Sequence, residues 1–128
     1  DRLKVPVNRR LVTNYMRVQV KPVDDSTASS IWISGTEVIR IADSGPERAE
    51  SRAQKIAGQM SNILLGGAGL SDVTLGGGSR YVVMMGRIVI APSEEDAKLA
   101  GKTVPEVAKD AANAIRRALL NERLGQSG

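Results

Sequence analysis

Two tetrads with the same punctuation, Ser44-Gly45-Pro46-Glu47 and Thr103-Val104-Pro105-Glu106, each open a run of apolar residues at helical spacing. The leading hydroxyl can cap a helix, the proline sits where its missing N–H costs nothing, and the glutamate can reach back to close a capping box. Two helix starts are therefore predicted from one grammar. Behind the first, Ala49, Ala53, Ile56, Ala57, Met60, Ile63 and Leu64 form one stripe at spacings of three and four. Behind the second, Val107, Ala108, Ala111, Ala112, Ile115, Ala118 and Leu119 do the same, with Lys109, Asp110, Asn113, Arg116 and Arg117 on the opposite side.

An offset of 59 aligns Ala49 with Ala108, Ala53 with Ala112, Ile56 with Ile115 and Met60 with Leu119. Upstream of each helix lies a pair of apolar runs reversed near a glycine. These are Ile31 to Ser34 and Val38 to Ile41 around Gly35, then Tyr81 to Met85 and Ile88 to Ile90 around Gly86. The glycines are 51 apart, so eight additional residues precede the second helix, at Glu94 to Gly101. Ser93 with Asp96 predicts a short capped helix or turn there, stopped by Gly101. The reading is a divergent internal duplication over residues 31–64 and 81–120.

Leu11-Val12 and the alternating run Tyr15 to Lys21, ending before Pro22, predict a further strand. Val73 to Leu75 is a short one. The glycine groups at 66–69 and 76–78 read as turns, because neither continues into a phosphate-loop or dinucleotide fingerprint. Residues 1–10 and 125–128 are expected to be a loose arm and tail around a single domain at 11–124, with Leu124 the last apolar residue to pack. The fold class is α+β: one compact domain of two related β-hairpin–helix units, its two main helices packed on an antiparallel or mixed sheet. Both alanine-lined faces are expected to meet one continuous sheet.

A chain of 128 residues with 41% hydrophobic content can bury one modest core. Phenylalanine is absent and aromatics make up 2%, so small and aliphatic side chains must do the packing. No run approaches the ~18–20 apolar residues that cross a bilayer. The start at Asp1 suggests a trimmed or processed segment.

Histidine and cysteine are both absent, which rules out histidine relays, thiolate chemistry and the common zinc sites within this sequence. No cofactor or metal motif appears. Asp24-Asp25 and Glu94-Glu95-Asp96 fit turns and helix starts better than paired catalytic acids, and the expectation is that the chain is not an enzyme. Carboxylate-assisted hydrolysis would need two distant acids facing one cleft. The net charge of +4 is mild. Arg9 and Arg10 near one end, and Arg116, Arg117 and Arg123 near the other, are candidate contacts for nucleic acid or an acidic polymer. For the last three, a solvated helix end is the simpler explanation. Trp32 is expected to anchor the core or its rim; if solvent-facing, it, Tyr15 and Tyr81 are candidate partner contacts.

The succession from Trp32 to Ile41 into Arg48 to Leu64, then Gly86 to Ile90, Asp96-Ala97-Lys98-Leu99-Ala100-Gly101 and the helix through Leu120, resembles accessory extracytoplasmic domains of small-conductance mechanosensitive-channel-like membrane proteins. The resemblance covers the last three quarters of the chain. It implies a module on the periplasmic or extracellular side of a membrane assembly, with a protein partner or homo-oligomer as its contact. It transfers no functional residue. The expected function is a noncatalytic interaction or structural module.

Overall fold

The computed structural model describes residues 13–15 and 17–127. Among the described residues, seven strands and three α-helices follow one another in the order β1 (Thr13–Tyr15), β2 (Val18–Pro22), β3 (Ser29–Ile33), β4 (Thr36–Ile41), α1 (Ala49–Leu65), β5 (Val73–Gly76), β6 (Tyr81–Met84), β7 (Arg87–Ile90), α2 (Glu94–Ala100) and α3 (Val104–Ser127). The α+β architecture of two hairpin–helix units is the one the sequence implies. The expected run from Tyr15 to Lys21 is instead broken into β1 and β2, which pair as a hairpin and carry the second strand through Pro22. Leu11 and Val12 lie outside the described residues, as does the 1–10 arm.

The single continuous sheet is replaced by two. β1 to β4 form one antiparallel sheet in sequence order, and β5 to β7 form another. Each unit closes on itself because short turns return every strand to its predecessor, leaving sequential neighbours to satisfy the backbone. The helices join the sheets. α1 lies against β2 and β3 and reaches β7, while α3 lies against β5 and β6 and runs along β4.

The likeness of the two units is written in the strand registers. Ile31 pairs with Ile39, Trp32 with Glu37 and Ile33 with Thr36; Val82 pairs with Ile90, Val83 with Ile88 and Met84 with Arg87. Every pair recurs at the spacing of 51 that separates Gly35 from Gly86, including a bulge at Val38 and again at Val89. Both hairpins turn through two left-handed residues, Ser34-Gly35 and Met85-Gly86, the backbone that matches the twist of tight hairpins. Inward strand residues Val18, Val20, Ile31, Ile33, Val82, Met84 and Ile90 are buried. They meet Ala49, Ala53, Ala57, Ala108, Ala111 and Ala112, all fully buried, whose small side chains let the helices approach closely.

The helix starts divide the two tetrads. Thr103 and Glu106 form the expected reciprocal cap, with Thr103 N–H donating to Glu106 Oε1 at 2.9 Å and Glu106 N–H to Thr103 Oγ1 at 3.3 Å. Ser93 and Asp96 form a second complete box, and Gly101 ends α2 in the left-handed conformation. Ser44 does not cap α1. It exchanges backbone hydrogen bonds with Glu47 in a tight loop, and its hydroxyl donates to Glu95. Asp43 takes over, accepting from Ala49 N–H at 2.7 Å, while Glu47 turns outward to Lys55. α3 continues through Ser127, across the expected tail, and Leu124 is 62% exposed instead of packed.

Candidate interaction faces

Alternation puts Gln19, Lys21, Ser30, Trp32, Glu37 and Arg40 on the outer face of the first sheet. Trp32 is half-buried there, at the core's rim. Its Nε1–H donates to Ser30 Oγ at 2.8 Å, and Lys21 Nζ lies 4.4 Å from the ring centroid. The indole is thus covered by a cation, an arrangement its electron-rich face favours. Arg40 donates to Glu37 Oε2 at 2.8 Å beside it. This face is polar, and its indole is held by Ser30 and Lys21.

The outer face of the second sheet has the opposite character. Thr74 pairs with Val83, Val83 with Ile88, and Gly76 with Tyr81. Ile88 is 48% exposed and Met85, in the adjoining turn, 54%. The half-buried Tyr81 ring lies over Gly76 and Gly77; a Cβ on Gly77 would come within 2.3 Å of the ring, so glycine here makes room for the aromatic. Tyr15 stands in β1 opposite Val18. Trp32 and Tyr81 therefore belong to different sheets and do not form a common stacking platform.

The basic candidates also separate. Arg9 and Arg10 lie outside the described residues. Arg116 is half-buried, donating to the Val73 carbonyl at 2.8 Å and to Asn113 Oδ1 at 3.0 Å, so it fastens α3 to β5. Arg117 is exposed. Because α3 extends to Ser127, both sit in mid-helix, and the last turn carries no basic residue; the expected compensation at the helix end does not operate. Arg17, Arg40, Arg52, Lys55 and Lys102 each pair with a carboxylate.

Two polar clusters were not anticipated from the sequence. Arg52 on α1 grips Asp96 on α2 with two parallel hydrogen bonds of 2.9 Å, and also donates to the Ala42 carbonyl. Asp96 accepts further bonds from Ala42 N–H at 2.7 Å and Ser93 N–H at 2.9 Å, which fills both its oxygens. Asp96 keeps the helix-start position expected of the acidic run, but it is 1% exposed and turned into the protein. Burial opposes its ionisation, but the hydrogen bonds from Arg52, Ala42 and Ser93 and the guanidinium charge outweigh it, holding the carboxyl below its ordinary value. The second cluster joins Arg17 and Ser34 to Glu122, tying the β2 start and the first hairpin turn to α3. The hydrogen bond from Arg17 is the main cause of the lowered Glu122 pKa.

Among the described residues no set of three or more acidic side chains is arranged to hold a metal ion, and no helix is long and apolar enough to cross a membrane. Residues 30–122 match the family described as Domain of unknown function (DUF8459), and the chain belongs to that family. The match spans both hairpins and nearly all of the three helices. Neither the curated proteins nor the solved structures contain a significant match.

Proposed function

We propose that the domain is a noncatalytic interaction or structural module, carried on the extracytoplasmic side of a membrane assembly as its resemblance to accessory channel domains implies. The observation that carries the reading is the repeat itself: one backbone used twice, with a polar, ion-paired outer face on one sheet and an exposed apolar one on the other. The buried charge supports it. Asp96 and Arg52 spend their hydrogen bonds on each other and on neighbouring backbone, as a structural clamp does. No buried side-chain polar atom among the described residues lacks a partner. The acidic-polymer alternative has less support, because five of the cations named above already face carboxylates.

The test is site-specific photocrosslinking in the full-length protein in its native membrane, with the reactive residue at Ile88 or at Glu37, alongside a compartment-sensitive reporter fusion. Protein crosslinks from Ile88 and an extracytoplasmic reporter signal are expected. Crosslinks from neither position, or a cytoplasmic signal, would overturn the reading.

A further inference from the structure

The spacing of 51 that relates the two hairpins separates the outer side chains the backbone needs from those it does not. Trp32, Glu37 and Arg40 of the first hairpin correspond to Val83, Ile88 and Ala91 of the second. The second hairpin keeps the register, the turn conformation and the bulge without an indole or a charge at these places, so folding does not demand them in the first. Glu37 and Arg40 are three apart, which strict alternation would send to opposite faces. The bulge at Val38 brings both to the outer face, opposite Trp32 and Ser30.

Around the indole lies a cleft of about 320 Å³, within the size range of small-ligand sites, lined by Lys21, Asp24, Ser30, Trp32, Glu37 and Arg40. Ser30 accepts the indole N–H, which fixes the ring. The charged groups beside it keep hydrogen-bonding capacity to spare. Among the described residues, Arg40 spends only its Nε–H, on Glu37 Oε2, which leaves the donors of both terminal nitrogens and Glu37 Oε1 as an acceptor. The Asp24 carboxylate has no partner among them, and the Lys21 ammonium has only the ring. Two cations and two carboxylates balance, so the cleft has no net preference for an anion or a cation.

We propose that this cleft binds a neutral saccharide. A sugar ring has an apolar C–H face that stacks on an aromatic ring and a rim of hydroxyls that both donate and accept, which matches a fixed indole ringed by spare donors and acceptors. Lys21, 4.4 Å from the ring centroid on a flexible stem, gives way to the C–H face and donates to a hydroxyl instead. An acidic sugar would meet Asp24 and Glu37, and a quaternary ammonium would have to displace a like charge from the ring, so both are poorer ligands. The assignment goes beyond the interaction-module reading and does not depend on it, because it uses the outer face of the first sheet and not Ile88.

Trp32 is the chain's single tryptophan and reports on the site directly. Maltotriose, cellotriose and chitotriose are titrated into the isotope-labelled full chain, followed by Trp32 fluorescence and by amide chemical shifts. A saturable fluorescence change with at least one of these sugars is expected, together with shifts at Lys21, Ser30, Trp32, Glu37 and Arg40. Trp32→Ala should abolish the shifts. Because that change can also disturb the sheet, Glu37→Ala and Arg40→Ala are measured beside it. Each breaks only a surface ion pair, which contributes little to stability, and each should weaken binding about tenfold, as loss of a hydrogen bond to a charged group does. Absence of a saturable change with every one of these sugars at tens of millimolar would overturn the assignment. So would binding left unchanged by both rim variants, or tighter binding of glucuronate or choline than of the neutral sugars. If the sugars fail while Ile88 still crosslinks to a partner in the membrane, the saccharide site is wrong and the module reading stands.

Discussion

At positions 51 residues apart, the first hairpin sets Trp32 opposite Glu37 on its outer face, and the second sets Val83 opposite Ile88. Registers, bulges and turn conformations are the same, so the inner faces answer to one packing problem. The outer faces answer to none among the described residues and differ, one an ion-paired surface around an indole beside Lys21, the other bearing exposed aliphatics. Shared burial preserves a backbone; what differs on its outside is where separate roles can be sought.

The largest expected effect comes from breaking the clamp that joins the units. Asp96→Ala leaves the Arg52 side chain, 10% exposed, without its counter-charge, and should cost roughly 3–5 kcal/mol in chemical denaturation. The same pair sets the acid limb. Since the Asp96 pKa is lowered in the folded state, its contribution is complete above the unfolded carboxylate pKa and fades as pH falls through the folded value. Glu122 adds to the loss with the same sign. Stability measured against pH should therefore fall on acidification, and less steeply in the Asp96→Ala variant.

Next in size is the packing the two units share. Ala53→Leu and Ala112→Leu each force a branched side chain into a fully buried helix–sheet contact, and each should cost about 1–3 kcal/mol. Similar losses at both sites would sharpen the equivalence of the units, and a tolerated leucine at either would break it.

The caps test where the equivalence stops. Thr103→Ala should cost about 1 kcal/mol because it removes a working cap. Ser44→Ala should fall within about 0.5 kcal/mol, since Asp43 does the capping there. At the smallest end, Met85→Asn relieves a bulky residue at φ 50° and should raise thermal stability by about 1 kcal/mol or less.

Much of this architecture was legible because it is local. The glycine turns, the alanine stripes at 49, 53, 108 and 112, and the Thr103 and Ser93 boxes are each fixed within a few residues by steric and hydrogen-bonding rules. Ser44 shows the limit: its tetrad has the right residues, but Asp43 competes for Ala49 and Lys55 draws Glu47 away, contacts that only the folded loop creates. The division into two sheets was not legible either, because period-2 patterning says which face a strand buries and not which strands share an edge. Asp96 was readable as a cap but not as the partner of Arg52, 44 residues distant. The polar and apolar outer faces required the registers before Trp32 and Val83 could be compared at all.

The likeness of the two units is tested most directly by cross-strand nuclear Overhauser contacts in the labelled protein. The account predicts Ile31 to Ile39 and Val82 to Ile90 contacts in two separate sheets, with the ladder interrupted at Val38 and again at Val89. One continuous sheet, or hairpins whose registers differ, would contradict it.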